Sequence, residues 1–132
     1  MRQKYAITLE DARRVAKAAH QTAIENKWNV VISVVDDGGH LVYFERMDDV
    51  QSGSVTVSIE KAKTAIAFRR PTQALESAIS GGRTVMLKLS GATPIEGGEP
   101  LVHEGHFVGA IGVSGVQSSQ DGIIAHSGAE AL

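Results

Sequence analysis

The chain has 132 residues, enough for one domain with a true core, and its 42% hydrophobic and 21% charged content is that of an ordinary globular protein. A formal net charge of −2, with no run of Lys or Arg longer than two, removes the basic stripe that nucleic acid requires. The absence of cysteine excludes disulfides, thiolate metal ligands, thioether-linked cofactors and a cysteine nucleophile.

The first residues, Met1 to Arg14, carry charge with no apolar stretch behind it, so no export leader is visible and a cytoplasmic address is expected. No apolar run further on is long enough to span a membrane. Thr8, followed three residues later by Asp11, predicts a helix start with a capping box. Behind it Leu9, Ala12, Ala16, Ala19 and Ala23 recur at helical spacing, widened by Val15 and Ile24, and the helix is expected to end near Asn26. Its alanines let it lie close against whatever it covers.

Val30 to Val35 is a β-branched run broken only by Ser33, as expected of a strand covered on both faces. Asp36-Asp37-Gly38-Gly39 supplies a turn, and Leu41 to Arg46 returns, so residues 30–46 read as a hairpin. A helix follows from about Ser52 to Arg70, closed by Pro71, with Ile59, Ala62, Ala65 and Ile66 on one side. Thr72 is expected to cap a short helix through Ser80, ended by Gly81-Gly82. The alternation of Val85, Leu87 and Leu89 predicts a strand, and the Gly- and Pro-dense stretch from Gly91 to Pro100 a loop. Leu101-Val102-His103 and His106 onward to Val113 flank Glu104-Gly105 as a second hairpin, and Ser118 to Asp121 opens a last helix. Hairpin-joined strands are antiparallel, so this order predicts an α+β single domain over residues 1–132: a five-stranded antiparallel sheet between helical layers.

Four segments carry a resemblance. They are Val34-Val35-Asp36-Asp37-Gly38-Gly39-His40-Leu41; Arg46-Met47-Asp48; Glu60-Lys61-Ala62-Lys63-Thr64-Ala65; and Gly97-Gly98-Glu99-Pro100-Leu101 leading to the stretch Val108 to Gly115. In this order they resemble the GlcG/HbpS-like family, which also includes the C-terminal domain of PduO-type corrinoid adenosyltransferases, over roughly residues 8–130. The resemblance implies a profilin-like three-layer α/β/α sandwich, homo-oligomers, and binding of haem or a related tetrapyrrole, with haem degradation or a cobalamin link in some members. Where the family usually has Asp-Lys-Ala, this chain has Glu60-Lys61-Ala62, which keeps the charge pair.

Several residues are candidates for chemistry. His20 lies at the edge of the alanine stripe, where neutral imidazole can serve as an axial haem ligand or stand as a boundary residue in water. Arg46, Asp48 and Lys61 form a set that suits haem propionates. The same trio could serve an enzyme of small-molecule catabolism, with Lys61 as a desolvated base and Arg46 holding an anionic substrate, or pin strand to helix as an ion-pair network. Gly97 and Gly98 offer backbone N–H groups to a ligand anion, although such a pair is also a common turn. His103 and His106 stand opposite each other if their hairpin forms, and could hold a divalent metal or be simply an exposed polar tip. Gly109, Gly112 and Gly115 suggest close packing of a helix or of a second subunit on the sheet. A ligand-free accessory or assembly protein is the remaining reading. No GxSxG, HExxH or P-loop is present.

Overall fold

Backbone hydrogen bonding organises the chain as four helices, one 3-10 turn and four strands in the computed structural model, which describes residues 1–132. Helix α1 (Leu9–Glu25) starts as its sequence dictates: the Asp11 N–H donates to the Thr8 hydroxyl at 3.1 Å, and the Thr8 N–H to the Asp11 carboxylate at 2.9 Å. Ala12, Val15, Ala16, Ala19 and Ala23 are buried, whereas Leu9 and Ile24 are exposed, so the buried stripe is narrower than the apolar one.

Strands β1 (Val31–Asp36) and β2 (Leu41–Arg46) form the expected hairpin, and β3 (Gly98–His103) and β4 (His106–Ser114) the second. They make one antiparallel sheet in the order β2-β1-β4-β3. Pairing of Ile32 with Val113 and of Val34 with Ile111 turns these four side chains to one face, where they pack under α1 and α4 (Ser118–Ala129) in the larger core cluster. Ser33, Val35, Ala110 and Gly112 take the other face, against α2 (Gly53–Phe68). The three-layer α/β/α arrangement is therefore present, with a small-residue seam under α2. There the hydroxyls of Ser33 and Ser58 meet at 2.6 Å in the interior.

The expected fifth strand is not formed. Residues Thr84–Lys88 are a 3-10 turn, with Val85 and Leu87 63% and 64% exposed. Backbone bonds from Met86 to Arg83 and from Leu89 to Met86 close the segment on itself, so the alternation of apolar residues has no partner strand to face. The sheet has four strands.

Three cap expectations also change. α2 ends at Phe68, with Arg69 in the left-handed region (φ +52°). Thr72 is the first residue of α3 (Thr72–Ser80), and its hydroxyl accepts the Gly98 N–H at 2.8 Å, tying α3 to β3. Gln117, not Ser118, caps α4, freeing Asp121 for the interior.

Candidate functional site

Helix α1 crosses the β1–β2 hairpin so that His20 meets Glu45. In the β1–β2 register Glu45 lies opposite Ile32, hence on the α1 face. His20 Nδ1 is 2.7 Å from Glu45 Oε2, while Tyr43 Oη donates to the other carboxylate oxygen at 3.5 Å. A carboxylate beside Nδ1 favours the tautomer protonated there, in which Nε2 carries the lone pair, and the His20 side chain is 42% exposed.

Two open depressions adjoin at this pair. One, of about 390 Å³, is bordered by His20, Ile24 and Arg46 together with the carboxylates of Glu45, Asp48 and Asp49. The other, of about 330 Å³, is bordered by Arg13, Lys17, His20, Tyr43 and Glu45. Arg13, Lys17 and His20 follow i, i+4, i+7 spacing and so share one face of α1. The structure thus brings His20, Arg46 and Asp48 together. Glu45, Arg13 and Lys17 join them without having been singled out from sequence, although the helical spacing of the two cations with His20 was a usable signal. Arg46 pairs with Val31, so it takes the strand face opposite to Glu45.

Lys61, Gly97 and Gly98 lie elsewhere. Lys61 is only 2% exposed, and its Nζ donates to Val113 O at 3.0 Å and to Asp121 Oδ2 at 3.1 Å. Arg46 and Asp48 are exposed at the end of β2, so the three residues do not form one anion clamp. Gly97, at φ +132°, has no room for a Cβ: Val113 O and Lys61 Nζ would stand 2.6 and 2.8 Å from it. Gly98 likewise presses on the Lys61 carbonyl. Both glycines here make space for the lysine, and the Gly98 N–H is already used by Thr72.

Asp121 was read from sequence only as part of a helix start. Burial pushes its carboxyl above the ordinary range, opposed by the Lys61 ammonium and the Val116 N–H. Burial also raises Glu96 above its ordinary 4.5, helped by the neighbouring Glu76 carboxylate and resisted by Lys61. Since the folded-state value is the higher one, Glu96 costs nothing while protonated in both states, and stability is lost as pH rises through the ordinary value to the raised one. Glu96→Gln is therefore expected to match wild type in urea unfolding near about pH 4 and to be modestly more stable at about pH 7. An equal difference at both pH values would contradict this origin.

His103 and His106 do face each other across the β3–β4 turn, as expected. The Tyr5 ring packs edge-on against both, with centroids at 4.9 and 5.6 Å, and Tyr5 Oη donates to Glu104 at 2.7 Å. No group of three or more His, Asp or Glu side chains is placed to hold a metal ion. No helix is long and apolar enough to cross a membrane.

The model of the family described as "Haem degrading protein HbpS-like" matches residues 7–130. The chain belongs to the HbpS-like family. It is 40% identical over 114 residues to protein GlcG of Escherichia coli K12, covering 86% of this chain and 85% of that one. HbpS of Streptomyces reticuli, solved as a double mutant, superposes with a TM-score of 0.90 at 30% identity, covering 100% of this chain and 90% of that one. The structure described as a PduOC:heme complex superposes with a TM-score of 0.85 at 28% identity, covering 97% of this chain and 96% of that one. The four-stranded sheet between helices is therefore the HbpS-like fold.

Proposed function

We propose that this HbpS-like chain binds haem, or a closely related tetrapyrrole, on the α1–β2 face with His20 Nε2 as the axial ligand. The observation that carries the reading is the 2.7 Å contact between His20 Nδ1 and Glu45, which orients the ring and leaves the outer nitrogen free. The donor set fits the group: an imidazole of fixed orientation, with Arg13 and Lys17 along the same helix face as charge-assisted donors for propionates. Arg46, which leaves β2 on the opposite face, reaches only the rim of the adjoining depression. The haem complex of the related PduOC structure supports the reading. Bound haem would supply an iron centre for redox or oxygen chemistry. The chain's own residues bind it, set the imidazole tautomer and neutralise the carboxylates.

Both depressions are open, and a bound tetrapyrrole buries most of its surface in a stable site. A second copy of the chain closing over Ile24, which is 51% exposed, would complete the burial and couple ligand binding to homo-oligomer formation. The role proposed is storage, delivery or slow breakdown of the ligand.

Titration of the protein with haemin, followed at the Soret band, is expected to saturate at a defined ratio per chain. His20→Ala should weaken binding by more than about tenfold and change the band position, and Glu45→Gln should weaken it by about ten- to a hundredfold. Hydroxocobalamin in a parallel titration defines which macrocycle is preferred. Unchanged binding in His20→Ala, or equal uptake by an unrelated protein, would sink the proposal.

A further inference from the structure

At the end of the sheet away from Arg46, a cleft of about 430 Å³ takes no part in the haem site. It forms where the N-terminal arm crosses the β1–β2 turn, the end of α2 and the β3–β4 hairpin. Its apolar floor is Ile66, Ala67 and Phe107. Its one carboxylate, Asp37, is already paired with Lys4 at 2.7 Å. Arg2 and Arg69 also line the cleft, and neither makes a salt bridge. The cleft therefore presents a small apolar patch, in a mostly polar lining, beside two guanidiniums without a salt-bridge partner.

Arg69 sits where another residue would be easier to accommodate. At φ +52° after the last turn of α2, the backbone favours glycine, and a side chain there is held at a conformational cost. What the arginine contributes is position: its guanidinium lies 5.5 Å from the centroid of the Phe107 ring, over its face. The facing wall is fixed as well, because Tyr5 is hydrogen-bonded to Glu104 and packed against His106.

We propose that this cleft binds a small organic anion consisting of a flat apolar body and an oxyanion head, carboxylate or phosphate. The head meets the guanidiniums of Arg69 and Arg2, whose planar forks match either oxyanion. The body lies on Ile66, Ala67 and Phe107, and orientation comes from the few polar groups at the rim.

The test is an NMR titration of the full-length, haem-free chain with benzoate, phenyl phosphate, inorganic phosphate and benzamide. At least one aromatic anion is expected to shift the signals of Ile66, Ala67 and Phe107 saturably, and the responding anion identifies the head group. Benzamide, which lacks the charge, and inorganic phosphate, which lacks the body, are expected to bind more weakly. Arg69→Gly should lower affinity for the anion by about tenfold or more while melting at or above the wild-type temperature and keeping its haemin titration. Arg2→Ala, in the exposed arm, should also weaken the anion without touching the helix end. The proposal is overturned if neither aromatic anion saturates at these residues, if benzamide or inorganic phosphate binds as well, or if both arginine variants bind as wild type.

Discussion

Lys61→Met is expected to destabilise the protein by about 3–5 kcal/mol near neutral pH, because it strands one charge of a buried pair. Lys61 and Asp121 are each 2% exposed, and the ammonium also satisfies Val113 O on β4. With the lysine gone, Asp121 keeps the Val116 N–H but no cation. Its carboxyl is already pushed up by burial with Lys61 present, so removal of Lys61 pushes it further. The folded-state value then lies above the unfolded one, and stability is lost as pH rises through that interval. The defect of Lys61→Met should therefore shrink toward acid pH and be largest at neutral and alkaline pH. Adding Asp121→Asn retains an acceptor for Val116 while removing the orphan charge, and should recover most of the loss. Urea unfolding of the single and double variants at about pH 5 and about pH 8 measures both effects. A loss under about 1 kcal/mol at the higher pH, or one that grows on acidification, would show that the pair does not act in this way.

Gly112→Ala is expected to cost about 3 kcal/mol or more, the upper range for forcing extra volume into a packed seam. A methyl group there would run into the Ser58 carbonyl and stand 2.6 Å from the Ala62 amide nitrogen, both of them backbone atoms of α2. The helix must lift, and with it the Ser33–Ser58 contact and the packing of Ala62, Ala65 and Ala110. Gly53→Ala provides the contrast, since nothing lies within 4 Å of a Cβ at the first residue of the same helix. That change should be neutral or stabilise by up to about 1 kcal/mol. Thermal unfolding of the two variants distinguishes a steric seam from a general intolerance of glycine loss, and equal melting temperatures would remove the argument. The same measurement bears on what the sheet glycines are for: the sequence left open a helix or a second subunit, and at Gly112 the close neighbour is α2.

Which parts of this protein were legible in its sequence follows the range of the interactions involved. The Thr8–Asp11 capping box, the alanine stripe of α1, the Asp36–Gly39 turn, the two hairpins and the His103–His106 pairing arise from residues close along the chain or from local periodicity, and they could be read directly. So could the layered α/β/α arrangement, once the hairpins were recognised as antiparallel. The exposed turn Thr84–Lys88 shows the limit, because alternation describes a strand only if another strand accepts its hydrogen bonds, and that partner is a non-local matter. The candidate site divides in the same way. His20 was identifiable from its place on the helix, but Glu45, the group that orients it, is 25 residues away and reaches it only through the β1–β2 register. Lys61 was grouped by sequence with Arg46 and Asp48, as ligand donors, as a base or as an ion-pair network, yet its partner Asp121 lies 60 residues on and comes within reach only when α2 and α4 close over opposite faces of β4. Local sequence determined the helices and the two hairpins; packing between distant elements decided that residues 84–88 form no strand, and which charges are buried in the fold and which remain at its surface.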